Sequence, residues 1–234
     1  MSTIFPSNLT RRLKDEFHFE EKHYFNNPIN ITTNALIIVD IQNDFLPGGA
    51  LAVSNGDKII PVINELQRQF ELIVLTQDWH PENHQSFALS HNNKSPYDII
   101  ELEGEKQVLW PIHCVQDTQG ASISSTLETK KANLIIRKGM NPEIDSYSGF
   151  YDNGRLNSTG LTGYLIEKGI RKVSICGLAA DFCVYFTAMD ALSLGFEVEI
   201  IMNATKAINP AEFKEKLKIF TNKGGIKREF IPSN

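Results

Sequence analysis

Five short apolar runs, separated by segments of helical length, constrain the fold of this chain more than any other feature. The runs occupy residues 34–40, 71–77, 132–137, 173–177 and 196–202, and a weaker strand-like segment follows at 225–230. Near-continuous apolar strands are typical of a parallel sheet that is covered on both faces. Helical patterns lie between them, at 57–70, 159–168, 182–194 and 210–220. The alternation predicts one α/β domain with a mainly parallel sheet of about six strands and helices on both faces.

The beginning of the chain does not share this pattern. Residues 1–33 are rich in Asn and charged residues and are interrupted by Pro6 and Pro28. We expect an N-terminal extension over 1–33, which packs on the domain surface or at a subunit contact. The single domain is predicted over 34–234.

Composition and charge exclude several classes of protein. The net charge is −5 and Lys and Arg are scattered, so the chain lacks the basic stripe of a nucleic-acid-binding protein. No apolar run reaches the length of a membrane span, so no membrane partner is expected. Three cysteines are too few for a disulfide framework, which predicts a reduced, cytoplasmic protein. A small-molecule substrate and a second copy of the chain remain as expected partners.

Four groups with reactive chemistry stand at the ends of predicted strands. Asp40, Asp78 and Lys138 each come at or just after a strand end, and the turn over 177–183 follows another strand. Open α/β sheets bind their ligands beyond the carboxyl ends of the strands, and right-handed crossovers bring these ends to one edge. We therefore expect the four groups to lie close together at that edge.

Cys183 is the candidate nucleophile of this set. The segment 173–184 reads as a buried strand, a tight turn and the start of a helix, with Asp181 as the expected N-cap. Backbone N–H groups and the helix dipole at such a position favour the thiolate form of Cys183. Asp40 would then move the proton and Lys138 would hold charge in place. The alternatives are a buried structural cysteine and a structural ion pair between Asp40 and Lys138.

The same edge offers the parts of a substrate pocket. The backbone N–H groups of Ala179 and Cys183 are aimed at one point and form a candidate oxyanion hole. Phe45, Trp110 and Tyr147 lie on loops nearby, and aromatic walls suit a flat ring substrate.

A second cluster combines carboxylate and imidazole groups. Asp78 and His80 form an Asp-x-His pair, and His84 and His113 follow on the same long loop. These oxygen and nitrogen ligands suit Zn²⁺, Mn²⁺ or Fe²⁺, and the lack of thiolates argues against a closed structural zinc site. We therefore predict one divalent metal ion with open positions for water or substrate. The alternative is that Asp78 and His80 cap the turn before Pro81.

Six segments carry a resemblance to a known family. They are Val39–Phe45 with the following Pro-Gly-Gly-Ala-Leu, Thr76–Phe87, Trp110–Gln116, Lys138–Gly139, Asp145–Phe150 and Gly177–Val184. In this order they resemble the nicotinamidases of the isochorismatase-like cysteine hydrolases, over residues 34 to about 231. The metal motif and the WP-x-HC motif are typical of nicotinamidases and not of the wider superfamily.

The resemblance implies an activity. It is the hydrolysis of nicotinamide to nicotinate and ammonia through a cysteine acyl-enzyme, with pyrazinamide as a further substrate. By position, Cys183 would be the nucleophile, Asp40 the general base and acid, and Lys138 their electrostatic partner.

The resemblance also implies a metal site and a ring pocket. The ligands would be a carboxylate and two imidazoles, with a further imidazole as a fourth or outer ligand: Asp78, His80, His113 and His84. Zn²⁺ is the expected ion, with Fe²⁺ or Mn²⁺ as alternatives, and it would bind the pyridine nitrogen. Phe45 and Trp110 would flank the ring, and the Leu178–Ala179 peptide bond would be cis.

Three other interpretations remain open. An isochorismatase, which cleaves a vinyl ether, would need neither Cys183 nor the Asp-x-His pair. A metal-independent amidase of the same superfamily would not need the metal motif. A non-catalytic ligand-binding protein would not need Cys183, Asp40 and Lys138 together.

Overall fold

The computed structural model describes residues 34–232, so the predicted extension over 1–33 lies outside the described residues. The described chain forms eight strands: β1 Asn34–Val39, β2 Leu72–Asp78, β3 Ile99–Leu102, β4 Glu105–Val108, β5 Leu134–Lys138, β6 Lys172–Gly177, β7 Glu197–Thr205 and β8 Ile226–Arg228. It also forms four α-helices: α1 Ile60–Leu66, α2 Leu161–Glu167, α3 Tyr185–Ser193 and α4 Pro210–Asn222. None of the helices in this part of the chain is long and apolar enough to cross a membrane.

Six of the strands form one parallel sheet in the order β5–β2–β1–β6–β7–β8. This confirms the predicted α/β domain with a sheet of six parallel strands. In the centre, β1 pairs with β2 at Ala35 and Leu72 and with β6 at Val39 and Gly177. Almost every residue of these three strands is buried, which explains why their sequences are near-continuous apolar runs.

The direction in which the sheet grows changes between β1 and β6. The chain passes from β1 to β2 on one side and from β6 to β7 on the other, so the crevice beyond β1 and β6 is a topological switch point. Right-handed crossovers that run in opposite directions lie on opposite faces of a sheet. Accordingly α1 covers one face and α3 and α4 cover the other, with Ile63, Ala188 and Phe220 fully buried.

Several boundaries differ from those predicted. Asp78 and Lys138 are the last residues of β2 and β5, whereas the predicted strands stop one residue earlier. The long loop that carries His84 and His113 contains the antiparallel hairpin β3–β4, which stands apart from the main sheet. Half of the hairpin side chains are exposed and one is buried, so its sequence carries no apolar alternation that would reveal it.

Candidate active site

The carboxyl edge of the sheet brings the four predicted groups together. Asp40 follows β1, and Cys183 lies in a π-helical turn, Ala180–Val184, after the neighbouring strand β6. Asp78 and Lys138 are direct partners in the register of β2 and β5. All four side chains are buried.

Lys138 links two carboxylates to the thiol. Its Nζ lies 2.8 Å from Oδ2 of Asp40, 2.5 Å from Oδ1 of Asp78 and 3.4 Å from Sγ of Cys183. It also donates to the carbonyl oxygen of Ser146 at 3.0 Å. Burial alone would lower the pKa of Lys138, but the charges of Asp40 and Asp78 outweigh burial and raise this pKa well above its usual value. Lys138 is therefore a fixed cation at the centre of the site.

Thr76 orients the carboxylate of Asp40. The Thr76 hydroxyl donates to Oδ1 of Asp40 at 2.6 Å and accepts the N–H of Asp40 at 3.2 Å. Among the described residues, none makes a hydrogen bond of ordinary geometry to Oδ2. Burial raises the pKa of Asp40, Lys138 opposes this effect and Asp78 adds to it, so that the pKa lies above its usual value. A carboxylate with a raised pKa is suited to accept a proton, and Oδ2 of Asp40 lies beside the Lys138 ammonium that would stabilise it when ionised.

The thiol of Cys183 is placed to give that proton. Its Sγ and the carboxylate oxygens of Asp40 and Asp78 lie within 4.8 Å of one another. Burial raises the pKa of the thiol well above its usual value; Lys138 opposes this rise and the two carboxylates add to it. This direction is opposite to the expected stabilisation of a thiolate, because burial and the carboxylates outweigh the cation.

Close backbone contacts fix the turn between β6 and Cys183. Gly177 has a φ of +114°, and a Cβ there would lie 2.1 Å from the carbonyl oxygen of Val39, so glycine is required. The Leu178–Ala179 peptide bond is cis, as the resemblance implies. The N–H of Ala179 donates to no other described residue, and Ala179 and Cys183 both line the adjoining pocket.

Asp181 does not act as the predicted N-cap. The helical segment begins after Ala179, without a side-chain cap. The carboxylate of Asp181 instead accepts the N–H of Ile208 at 3.0 Å and that of Asn209 at 2.7 Å. Asp181 thereby ties the nucleophile turn to the loop after β7.

Three imidazoles and two carboxylates meet at the same edge. Ligand atoms of Asp78, His80 and His113 lie within 4.8 Å of one another, and Oδ2 of Asp78 is 3.7 Å from Nε2 of His80. His84 belongs to a neighbouring group with His80 and Asp145. The rings of His80 and His84 have centroids 4.4 Å apart, so the two groups adjoin.

Hydrogen bonds to backbone carbonyls leave Nε2 of His80 and of His113 for a metal ion, whereas Nδ1 of His84 also accepts the backbone N–H of Ser86 at 3.1 Å. Nδ1 of His80 lies 2.9 Å from the carbonyl oxygen of Gly139, and Nδ1 of His113 lies 2.9 Å from that of Pro111. Nδ1 of His84 lies 2.7 Å from the hydroxyl of Ser86. A carbonyl partner places the N–H on Nδ1 and leaves Nε2 as a ligand atom. Nε2 of His84 is buried and has no hydrogen-bond partner among the described residues.

The electrostatics of the cluster also fit a cation. Burial and the neighbouring His80 lower the pKa of His84 and of His113 to about 4, so both rings are neutral, as metal ligands must be. Burial lowers the pKa of His80, but Asp78 outweighs it and raises this pKa, so the space between the two favours positive charge. The residues present therefore fit one divalent ion with nitrogen and oxygen ligands.

A pocket lined by aromatic and aliphatic side chains adjoins Cys183. All three predicted aromatic residues line it: Phe45, Trp110 and Tyr147. The sequence interpretation missed four further lining residues: Leu51, Asp145, Phe182 and Ile208. Leu51, Asp145 and Phe182 lie in the recognised motifs, which could have indicated them. Ile208 lies in a loop whose sequence has no pattern that would single it out.

Comparison with known proteins identifies the family. The isochorismatase domain model matches residues 34–226. A nicotinamidase from Acinetobacter baylyi is 55% identical over 175 residues, which are 75% of this chain and 82% of that protein. A nicotinamidase from Escherichia coli is 45% identical over 179 residues, which are 75% of this chain and 84% of that protein.

Solved structures agree in fold. An Acinetobacter baumanii nicotinamidase/pyrazinamidase has a TM-score of 0.83 at 47% identity, covering 84% of this chain and 96% of that chain. The Pyrococcus horikoshii pyrazinamidase in complex with zinc has a TM-score of 0.70 at 40% identity, covering 85% of this chain and 99% of that chain. The family match over most of the chain and relatives at this identity show that the chain belongs to the isochorismatase family, among its nicotinamidases.

Proposed function

We propose that this protein is a metal-dependent amidohydrolase that converts nicotinamide to nicotinate and ammonia through a cysteine acyl-enzyme. The observation that carries the proposal is Lys138, which contacts Cys183, Asp40 and Asp78 beside an aromatic pocket. The relatives at 45–55% identity are nicotinamidases. Two solved relatives are named pyrazinamidases, which supports pyrazinamide as a further substrate.

In the first half of the reaction, Cys183 attacks the carboxamide carbon. The raised pKa of the thiol means that its proton must move, and Oδ2 of Asp40, which lies 2.8 Å from the Lys138 ammonium, is the nearby acceptor. The N–H groups of Ala179 and Cys183 stabilise the oxyanion. Asp40 then returns the proton to the amide nitrogen, the C–N bond breaks, and ammonia leaves a thioester on Cys183.

In the second half, water attacks the thioester carbon. Asp40 takes a proton from the water and passes it to the sulfur of Cys183 as the C–S bond breaks, which releases nicotinate. Lys138 keeps its charge in both halves and stabilises the carboxylate and the thiolate in turn.

We propose Zn²⁺ as the metal ion. Asp78, His80 and His113 would hold it, with His84 as a fourth or outer ligand, and the zinc complex of the Pyrococcus horikoshii relative supports this choice. When bound, the ion supplies a Lewis acid that orients a substrate through its ring nitrogen. Phe45 and Trp110 would flank that ring.

The division into an extension over 1–33 and a domain over 34–234 is also a proposal, as is a cytoplasmic location. The three cysteines of the sequence are free thiols in the structure. The proposed chemistry needs Cys183 reduced, and a reducing compartment keeps it so. A second copy of the chain stays a predicted partner.

An ammonia-release assay on nicotinamide tests the function. We expect the wild-type enzyme to release ammonia and nicotinate in equal amounts, and Cys183→Ala to lose at least about a thousandfold in kcat with its fold intact. Cys176→Ala is the matched control, because Cys176 is a buried thiol of β6 outside the pocket, and it should retain turnover.

Two outcomes would contradict the proposal. Turnover by Cys183→Ala at the wild-type rate would exclude the acyl-enzyme mechanism. A zinc-loaded wild-type enzyme that releases no ammonia from nicotinamide would exclude nicotinamide hydrolysis as the function.

A further inference from the structure

We propose that Gln107 is a positioning residue for the substrate pocket, which from the β3–β4 hairpin fixes the side chains of Tyr147 and Asp145. The inference rests on the proposed function, because it assigns a residue that shapes the same site for its amide substrate. Tyr147 and Asp145 line the pocket, so Gln107 acts through them.

The hairpin buries one polar side chain and little else. Of the eight residues of β3 and β4, all of them described, Gln107 alone is buried, with 2% of its surface exposed. A position that served packing alone would carry an apolar side chain. Buried polar side chains are kept where hydrogen bonds satisfy them. The buried amide of Gln107 should therefore be satisfied by hydrogen bonds.

Three acceptors surround the amide nitrogen of Gln107. Nε2 lies 2.9 Å from the hydroxyl of Tyr147, 3.0 Å from Oδ2 of Asp145 and 2.7 Å from the carbonyl oxygen of Val108. The amide oxygen accepts from Nδ2 of Asn153 at 3.2 Å, which fixes the direction of the amide group. One side chain thus holds a hydroxyl and a carboxylate of the pocket wall.

Asn153 and Trp110 complete the support of Tyr147. Oδ1 of Asn153 accepts the N–H of Tyr147 at 3.0 Å, so Asn153 joins Gln107 to the backbone of the same residue. The indole N–H of Trp110 donates to the Tyr147 hydroxyl at 3.2 Å. The ring of Tyr147 cannot turn without breaking the bonds from both Gln107 and Trp110, so the hairpin sets the position of two aromatic walls.

This network supports the pocket wall, while a separate set of bonds supports the reacting groups. Lys138 holds Cys183, and Thr76 holds Asp40. Loss of Gln107 should weaken the binding of the substrate and of the transition state equally. KM should then rise and kcat should stay nearly unchanged.

Gln107→Met tests the inference, because Met keeps the length of the side chain and removes its hydrogen bonds. In the metal-loaded enzyme we expect KM for nicotinamide to rise about 3- to 10-fold, as for one or two lost hydrogen bonds, with kcat within about twofold. Gln107→Glu should raise KM further, since a carboxylate would face Asp145. Calorimetric titration with nicotinate should show a matching loss of affinity at unchanged metal content.

Lys106→Met is the matched control, because it makes the same replacement at the neighbouring, exposed position of β4, and it should keep the wild-type KM. In a Tyr147→Phe background, Gln107→Met should raise KM by less than in the wild type, because the hydroxyl that it holds is already gone. If Gln107→Met does not fold, Asn153→Asp takes its place, since it keeps the acceptor for Tyr147 and loses the donor to Gln107; the same rise in KM is expected.

A purely structural role predicts a different result. It would lower the Tm of Gln107→Met and leave KM and the nicotinate affinity at their wild-type values, which would overturn the inference. Equal effects of Gln107→Met with and without the Tyr147 hydroxyl would overturn it as well. Neither result bears on the proposed function, which fails only if the wild-type enzyme releases no ammonia from nicotinamide.

Discussion

The donors of Lys138 determine which carboxylate oxygen can take a proton. They go to Asp78, to a backbone carbonyl and to Cys183, while Thr76 occupies Oδ1 of Asp40. Oδ2 of Asp40 remains as the acceptor, 2.8 Å from the ammonium. Because the N–H groups of Lys138 already donate to these three acceptors, Lys138 supplies positive charge and does not block the oxygen that accepts the proton. The proposed mechanism requires both properties.

His80→Ala tests the metal site at the scale of one residue. His80 belongs to both ligand groups, so its loss removes a ligand from each. We expect the purified variant to carry well under half of the about one metal ion per chain of the wild type, measured by elemental analysis. His91→Ala is the control, because His91 bonds to the carbonyl oxygen of Gln85 outside both groups. Equal metal content in His80→Ala and the wild type would contradict the site.

At this scale the sequence predicts reactive side chains and misses their neutral partners. Asp40 and Cys183 are indicated by their places at strand ends. Thr76 acts through a hydroxyl, and Gly139 through the lack of a side chain, since a Cβ there would lie 2.4 Å from the ring of His80. Both residues lie in the recognised motifs, but their contacts join residues far apart in the chain, and the motifs do not show those contacts.

At the scale of elements, Asp181 joins the turn that carries Cys183 to the loop after β7. Its carboxylate accepts the N–H groups of Ile208 and Asn209. Removing it leaves two backbone donors unpaired, which costs roughly 1–3 kcal/mol. We expect Asp181→Ala to lose that much unfolding free energy in urea denaturation, and to raise KM because Ile208 lines the pocket.

Asp57→Ala is the control for this prediction. Asp57 pairs with Lys58 at the surface, and exposed ion pairs contribute little. Its unfolding free energy should stay within about 0.5 kcal/mol of the wild type. Equal stability and equal KM in the two variants would show that Asp181 does not join the turn to the loop.

The elements that the sequence reveals are those with a long buried face. β1 and β6 bury almost every residue, and their apolar runs predict them. The hairpin β3–β4 has four residues in each strand, exposes half of them and buries one, so no periodicity marks it. The π-helical start at Ala180–Val184 is also not visible in the sequence. An Asp at this point can be either a helix cap or a residue inside the turn, and the sequence does not distinguish the two.

At the scale of the whole molecule, the strand order separates the reactive groups from the structural ones. The alternation of strands and helices predicts the fold class, but apolar runs do not say which strands are neighbours. The reactive groups stand at the carboxyl ends of β1, β2, β5 and β6. A buried carboxylate with a structural role, Glu199, lies instead within β7, opposite Ser174 of β6 and Ile226 of β8.

Glu199 ties three strands together. Its carboxylate pairs with Lys172 of β6 at 2.6 Å and with Arg228 of β8 at 3.0 Å, and it accepts the hydroxyl of Ser174 at 2.6 Å. Burial would raise the pKa of Glu199, but Lys172, Ser174 and Arg228 outweigh it and hold the pKa below its usual value. Because the folded-state pKa is depressed, the contribution to stability is complete above the unfolded-state pKa of about 4.3 and is lost as the pH falls through the folded-state pKa.

We therefore expect Glu199→Gln to be less stable than the wild type by roughly 1–3 kcal/mol at neutral pH, because two cations lose their partner. The difference should shrink as the pH falls from about 5 toward about 3, since the wild-type carboxylate then takes up a proton and resembles the amide. Urea denaturation across this range measures it, with Glu65→Gln as the control, because Glu65 pairs with Arg68 at the surface. A difference that stays constant across the range would show that the charge of Glu199 does not join the strands.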